Sequence, residues 1–221
     1  MSKVLGVLGG MGPAATVAFL ARVQALTPAQ GDADHIRVVM DLNPQVPDRN
    51  TRPGEAEAEL GAMAMRLKAA GAEVLAMPCN TAHAQKPGIV AAGLPFIDMI
   101  AATVAAARGY DARSIGILAT PGGEALYVAA LTAAGVKPVV LQGEDRAAFM
   151  ACVYGVKRGD VGVDNRAAMA RLAEALNVAG ADAVIAGCTE VPLLLDPADV
   201  SVPLVDSAEV LAQACVGVCL D

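Results

Sequence analysis

"AGAEVLAMPCNT" at residues 70–81 and "AGADAVIAGCTE" at residues 179–190 are one phrase written twice. Each reads Ala-Gly-Ala, an acid, a short apolar run and a cysteine followed by hydroxyl, amide or acidic side chains. Two further pairs keep the same order. "KVLGVLGG" from Lys3 matches "RSIGILAT" from Arg113, aligning Gly6 with Gly116. "LPFIDMIAATVAAA" from Leu94 matches "VPLVDSAEVLAQAC" from Val202, aligning Asp98 with Asp206. Three landmarks at a nearly constant offset of about 110 residues mark two halves of similar structure.

Each half alternates short apolar or β-branched runs with longer Ala-rich stretches. Strands are expected at 3–8, 36–42, 73–78 and 95–97, and again at 114–119, 138–142, 182–187 and 202–205. Helices are expected at 13–26, 54–70, 98–108, 145–157, 164–179 and 207–219. Nearly continuous apolar strands in a βαβα rhythm belong to parallel sheets covered on both faces. The fold class is therefore α/β, with two similar domains: 1–97 plus 207–221, the last helix crossing back, and 98–206. In such sheets ligands sit beyond the carboxyl ends of the strands. The loops to search are Gly9–Pro13, Asn43–Arg52, Cys79–Thr81, Ala119–Gly123 and Cys188–Glu190.

Bulk properties remove several classes of function. A net charge of −7 without a basic stripe, and only 3% aromatic residues, argue against nucleic acid. Gly9, Gly10, Gly12 and Pro13 interrupt any signal-type helix, and the apolar run at 89–107 contains Pro95 and Asp98. A cytoplasmic protein with no membrane attachment is the expectation. The five cysteines, Cys79, Cys152, Cys188, Cys215 and Cys219, form no C-x-x-C pair, which fits neither a zinc site nor a disulfide scaffold.

Cys79 and Cys188 each follow a strand and open what reads as a helix, where the dipole and free N–H groups lower a thiol's pKa. One such cysteine alone reads as a small buried hydrophobe; duplication turns the reading towards function. If the halves face each other about a pseudo-twofold axis, the two thiols line opposite walls of one cleft. A thiolate there removes a proton from carbon while a thiol on the other face returns one, inverting a stereocentre, with Asn80, Thr81 and Thr189 beside the developing charge. Cys152, Cys215 and Cys219 read as packing.

"GVLGGMGPAAT", "NPQVPDR", "MPCNTAH" and "AGCTEVPLLL", in that order, resemble the aspartate/glutamate racemase family, in its cofactor-independent aspartate racemase branch. The resemblance implies two Rossmann-like lobes with a cleft between them, Cys79 and Cys188 as the acid/base pair, no cofactor or metal, an amino-acid substrate and a homodimer. It also implies Arg49 and Lys157 as cationic contacts for substrate carboxylates, and Met11, Asn80, Thr81, Thr120, Thr189 and Glu190 in the substrate site. The Gly-rich loop around Met11 and the presence of Glu190 after the second Cys-Thr point towards aspartate rather than glutamate. Gly123 stands where the aspartate branch often carries threonine. Maleate isomerase and hydantoin racemase types belong to the same superfamily.

Other residues keep two readings. Gly10, Gly12 and Ala15 with Asp41 match a dinucleotide fingerprint, so an NAD-linked oxidoreductase is the competing class. His83, one turn after Cys79, tunes the thiol or is a partly exposed helix residue. Glu190 orients a substrate amine, supports Cys188 or caps its helix. Asp98 and Asp206 read as helix caps.

Overall fold

The computed structural model describes residues 2–221. The chain divides into two compact units, one running to Ala102 and resuming at Ala208–Asp221, the other comprising Thr103–Ser207. The first holds β1 (Leu5–Gly9), α1 (Pro13–Leu26), β2 (Val38–Leu42), α2 (Pro53–Ala69), β3 (Val74–Ala76), α3 (Lys86–Val90), β4 (Phe96–Ile97) and the start of α4 (Met99–Arg108). The second holds β5 (Ser114–Leu118), α5 (Pro121–Ala133), β6 (Lys137–Val140), α6 (Gly143–Lys157), α7 (Val163–Val178), β7 (Ala183–Ala186) and β8 (Leu204–Asp206). Helix α8 (Ser207–Leu220) follows and packs in the first unit.

Each unit carries one four-stranded sheet, ordered β2-β1-β3-β4 and β6-β5-β7-β8, with every neighbouring pair parallel. The two orders are the same once the second is renumbered. The repeated phrase explains why. In "AGA", the middle glycine ends a helix: Gly71 and Gly180 adopt φ of 93° and 94°, the left-handed region that glycine enters without strain. Behind each, Ala72 donates to Leu67 O and Gly71 to Lys68 O, while Ala181 donates to Leu176 O and Gly180 to Asn177 O. Both are Schellman closures, which satisfy the last helical carbonyls.

The acid that follows is a clamp. Glu73 accepts the Val4 amide at 2.8 Å, and its own amide donates to Val4 O at 2.9 Å. Asp182 accepts the amides of Arg113 and Ser114, each at 2.9 Å, and donates to Ser114 O at 2.8 Å. The phrase thus stops a helix, hooks the chain to the start of the central strand and launches the strand that leads to the cysteine. Gly6 and Gly116 complete it. A Cβ on Gly6 would lie 2.7 Å from Ala72 Cβ, and one on Gly116 3.0 Å from Leu176 Cβ, so both central strands are bare where the chain returns.

The inner strands β1, β3, β5 and β7 are buried along their whole length because both of their faces are covered. Leu5, Val7, Val74 and Ala76 face Phe19 and Val23 of α1 and the stripe Leu211, Ala212, Cys215 and Cys219 of α8. Leu8, Leu75 and Met77 face Leu60, Met63, Ala64 and Leu67 of α2. In the second unit Phe149, Val153 and Val156 of α6 join Met169, Leu172 and Leu176 of α7 over Leu118, Val139 and Val184. Cys215, Cys219 and Cys152 are packing residues, and burial pushes all three thiols up. Helix α5 begins earlier than the expected 119–123 loop allows, because Pro121 occupies its first turn, where a missing N–H costs nothing.

Each large apolar side chain in the α8 seam contributes about 1.5–3 kcal/mol by burial. Leu211→Ala is expected to cost about 2–5 kcal/mol, seen as a lower urea midpoint. Val218→Ala, on the exposed face of the same helix, should stay within about 0.5 kcal/mol.

Candidate active site

With all strands of a sheet parallel, the loops after their carboxyl ends gather along one edge of each unit. In the first unit the loop after β1 leans on the loop after β2. Gly10 lies so close that a Cβ would come within 2.4 Å of the Asn43 backbone, and Asn43 donates its amide to Gly9 O at 3.2 Å. Met11 and Val46, one from each loop, share a buried cluster with Cys79 and Ala82. Met11 and Cys79 thus belong to one buried cluster of the first unit.

Cys79 is 5% exposed, Asn80 is buried and Thr81 half-buried. No α-helix opens at this thiol, contrary to the sequence reading. A 3₁₀ turn over Thr81–Gln85 leads into the five-residue α3, which carries Pro87 in its first turn. Cys188 is likewise followed by a 3₁₀ turn, Val191–Leu193, with Pro192 inside it. Neither short turn supplies the summed dipole of a long helix.

Of the two readings of His83, the partly exposed helix residue fails. Its ring is 6% exposed, not solvated. Nδ1 lies 2.9 Å from Cys79 O, and the Met99 amide donates to Nε2 at 3.1 Å. Burial, foremost, and the charge of Lys86 hold the imidazole below its usual range, against the Cys79 bond and Asp98. Asp98 caps α4 by accepting the Ala101 amide at 3.0 Å and pairs with Lys86 at 2.8 Å.

Arg49 follows Val46 in the β2 loop and is half-buried. Its Nε is buried without a hydrogen-bond partner. Its neighbour Asp48 forms a tight turn by accepting the Asn50 and Thr51 amides, both at 2.9 Å. These bonds hold the Asp48 carboxyl below its ordinary range. The dinucleotide reading loses its residues here: the Gly10 amide donates to Thr16 Oγ1 at 3.0 Å, and Asp41 is claimed by Arg66 at 2.8 Å.

In the second unit Cys188 is 7% exposed and donates its Sγ–H to Glu190 Oε2 at 2.9 Å. Thr189 Oγ1 donates to the same oxygen at 3.4 Å. Glu190 is 4% exposed, and its side chain makes no cap to the turn that follows. Of the three roles read for Glu190 in the sequence, this contact is the one with Cys188. Gly187 carries the thiol past Tyr127, whose Cε2 would meet an added Cβ at 2.7 Å. At Gly123 a Cβ would stand 3.3 Å from Gly187 O and 3.6 Å from Thr120 Oγ1. Thr120 therefore borders the Cys188 loop, and a threonine at 123 would press on it. Lys157 is exposed at the end of α6, and no described contact draws it into this group.

All five cysteines are free thiols. Among the described residues no three His, Cys, Asp or Glu side chains are arranged to hold a metal ion, and no helix is long and apolar enough to cross a membrane.

A family model described as Asp/Glu/Hydantoin racemase matches residues 8–215. The chain is similar to the broad specificity amino-acid racemase RacX of Bacillus subtilis (strain 168), at 27% identity over 96% of both chains. It is 31% identical to a glutamate racemase of Synechococcus sp. (strain CC9605) over 68% of this chain and 56% of that protein. Among solved structures it resembles Picrophilus torridus aspartate racemase, with a TM-score of 0.83 and 27% identity, covering 97% of this chain and 93% of the other.

Two outcomes test this geometry. Gly187→Ala drives a methyl into Tyr127 and should cost about 1–3 kcal/mol, measured by thermal unfolding. Burial alone would raise the Asp98 carboxyl, but its bonds from Lys86 and the Ala101 amide outweigh burial and hold it low. A depressed carboxyl stabilises the fold above its unfolded value of about 3.9 and ceases to do so as pH falls through the folded one. Asp98→Asn should therefore flatten the acid limb of the stability curve and leave its slope near neutrality unchanged.

Proposed function

We propose that this chain, which belongs to the Asp/Glu/hydantoin racemase family, racemises an acidic amino acid by a two-thiol mechanism that needs no organic cofactor. The observation that carries the reading is the pair of thiols at matching places in two sheets of one topology, Cys79 beyond β3 and Cys188 beyond β7. The reducing cytoplasm suits a chain whose five cysteines are all unpaired.

The two thiols work on opposite faces of one α-carbon. Cys188, whose Sγ–H points at Glu190, is the proton donor at rest. Cys79, as thiolate, takes the α-hydrogen, and Cys188 delivers its own proton to the other face; the product is the mirror image and the thiols have exchanged roles. In the reverse sense Cys188, left as thiolate by the forward step, takes the α-hydrogen, and Cys79, now protonated, delivers its proton to the other face. Because the α-hydrogen is weakly acidic, charge passing into the substrate carboxylate needs donors, and Asn80, Thr81, Thr120 and Thr189 supply them. Arg49, with its unpartnered Nε, takes a carboxylate through its planar fork, and Lys157 offers a second charge.

Aspartate and glutamate are the substrates best matched by two cationic contacts. A wider amino-acid range is the second reading, favoured by the broad specificity named for the Bacillus subtilis relative.

Without added cofactor, the purified protein should abolish the optical activity of L- and D-aspartate or L- and D-glutamate. In deuterated water it should place deuterium at the α-carbon from either enantiomer. Cys79→Ala and Cys188→Ala should each lower the rate by about 10²-fold or more; full activity in either variant would refute the two-thiol mechanism.

A further inference from the structure

We propose that His83 is a positioning residue that pins the backbone of Cys79 to the first turn of α4, using the single neutral tautomer that fits both of its hydrogen bonds. This deepens the proposed function and rests on Cys79 being a reactive thiol.

The geometry leaves one assignment. The Met99 N–H is a donor only, so Nε2 must present its lone pair; the Cys79 carbonyl is an acceptor only, so Nδ1 must carry the hydrogen. The imidazolium has N–H groups on both edges and would set a donor against a donor at Met99. The charged side chains around the ring are Lys86, from the segment that follows it, and Asp98, from the turn before α4. They neutralise each other in a 2.8 Å pair. From β4, the Phe96 ring stands 5.4 Å from the imidazole. The ring is thus closed in by apolar surface and a compensated ion pair, which keeps it neutral.

Both partners of the ring matter to the thiol. Met99 is the first residue of α4, so its N–H is one of the amides that a helix leaves unsatisfied at its start. Asp98 takes the Ala101 amide of the same turn. At its other edge the imidazole holds the carbonyl of the cysteine itself, and a fixed peptide plane fixes the direction in which Cα–Cβ–Sγ leaves the chain. Proton transfer from carbon demands that direction, since misplacement by about 1 Å can cost roughly 10²-fold in rate. A histidine serves because donor and acceptor sit on opposite edges of one rigid ring. An asparagine carries both on one carbon and can keep only one of the two bonds.

Nitrogen NMR of the histidine ring is the first test. His83 in the wild-type protein should show the neutral Nδ1–H tautomer from about pH 5.5 to 8.5; titration to imidazolium near the ordinary value of about 6.5 would overturn the proposal. The second test compares His83→Ala and His83→Asn with wild type. Turnover should fall by about 10²-fold in the alanine variant while KM stays within about threefold, with a smaller loss in the asparagine variant. Equal loss in both, or a rise in KM alone, would overturn it. The third test needs no turnover: alkylation by iodoacetamide, followed at each cysteine by peptide mass, should quicken about tenfold at Cys79 in His83→Ala and hold within about twofold at Cys188. Unchanged alkylation at Cys79 would overturn the positioning role. Because the ring spectrum is read on wild type, it decides even if a variant does not fold. If no amino acid is racemised, the functional reading fails while the NMR and alkylation results still stand on their own.

Discussion

A carboxylate holding the amide of the neighbouring strand is the bond on which each half of this protein hangs. Glu73 and Asp182 sit between a helix closed by glycine and a strand that ends in a cysteine loop. Parallel strands have no short turn to set their register, so something must fix where the returning chain meets the central strand. Here the acid does so, one residue before or at the start of the apolar run. A slip by one residue would exchange the two faces of the strand. In β3 that would send Leu75 and Met77 towards α1 and α8 and Val74 and Ala76 towards α2. The Cys79 loop beyond would turn with them.

Much of this was legible because it is periodic or repeated. The glycine stop, the acid and the apolar run occur twice, so they could be recognised by comparison within one chain. The continuous apolar strands declared their burial on both faces. What escaped notice are contacts made across the sequence by side chains with two plausible lives. His83 reads equally as a partly exposed helix residue or as a partner of the Cys79 thiol until Met99, which lies beyond β4, is seen to donate to it. Asp41 has the position of a ribose-binding acid, but Arg66, on the helix that follows, takes it. The helices expected after both cysteines are 3₁₀ turns because Pro87 and Pro192 restrict the chain where an α-helix would have to grow. Glu190 was visible as a neighbour of Cys188 in sequence; only its χ angles decide that it bends back to the sulfur rather than forward to the turn.

The two thiols are supported in different ways. Cys188 donates its Sγ–H to the Glu190 carboxyl group two residues on. Cys79 has an imidazole on its carbonyl, which acts on the position of the chain and leaves the charge on sulfur to other groups. The two halves share one scaffold, but an acid contacts the cysteine in one and a histidine contacts it in the other.

The outer strand of the second sheet has a consequence for solubility. Lys137 donates its amide inward to Arg113 O, so the next residue along β6 directs its amide outward, and that residue is Pro138. The first outward-facing donor is missing, and a ring occupies its place. Another strand approaching this edge would find a gap in the hydrogen-bond ladder and a lysine beside it, two of the devices by which sheet edges resist fibrillar growth.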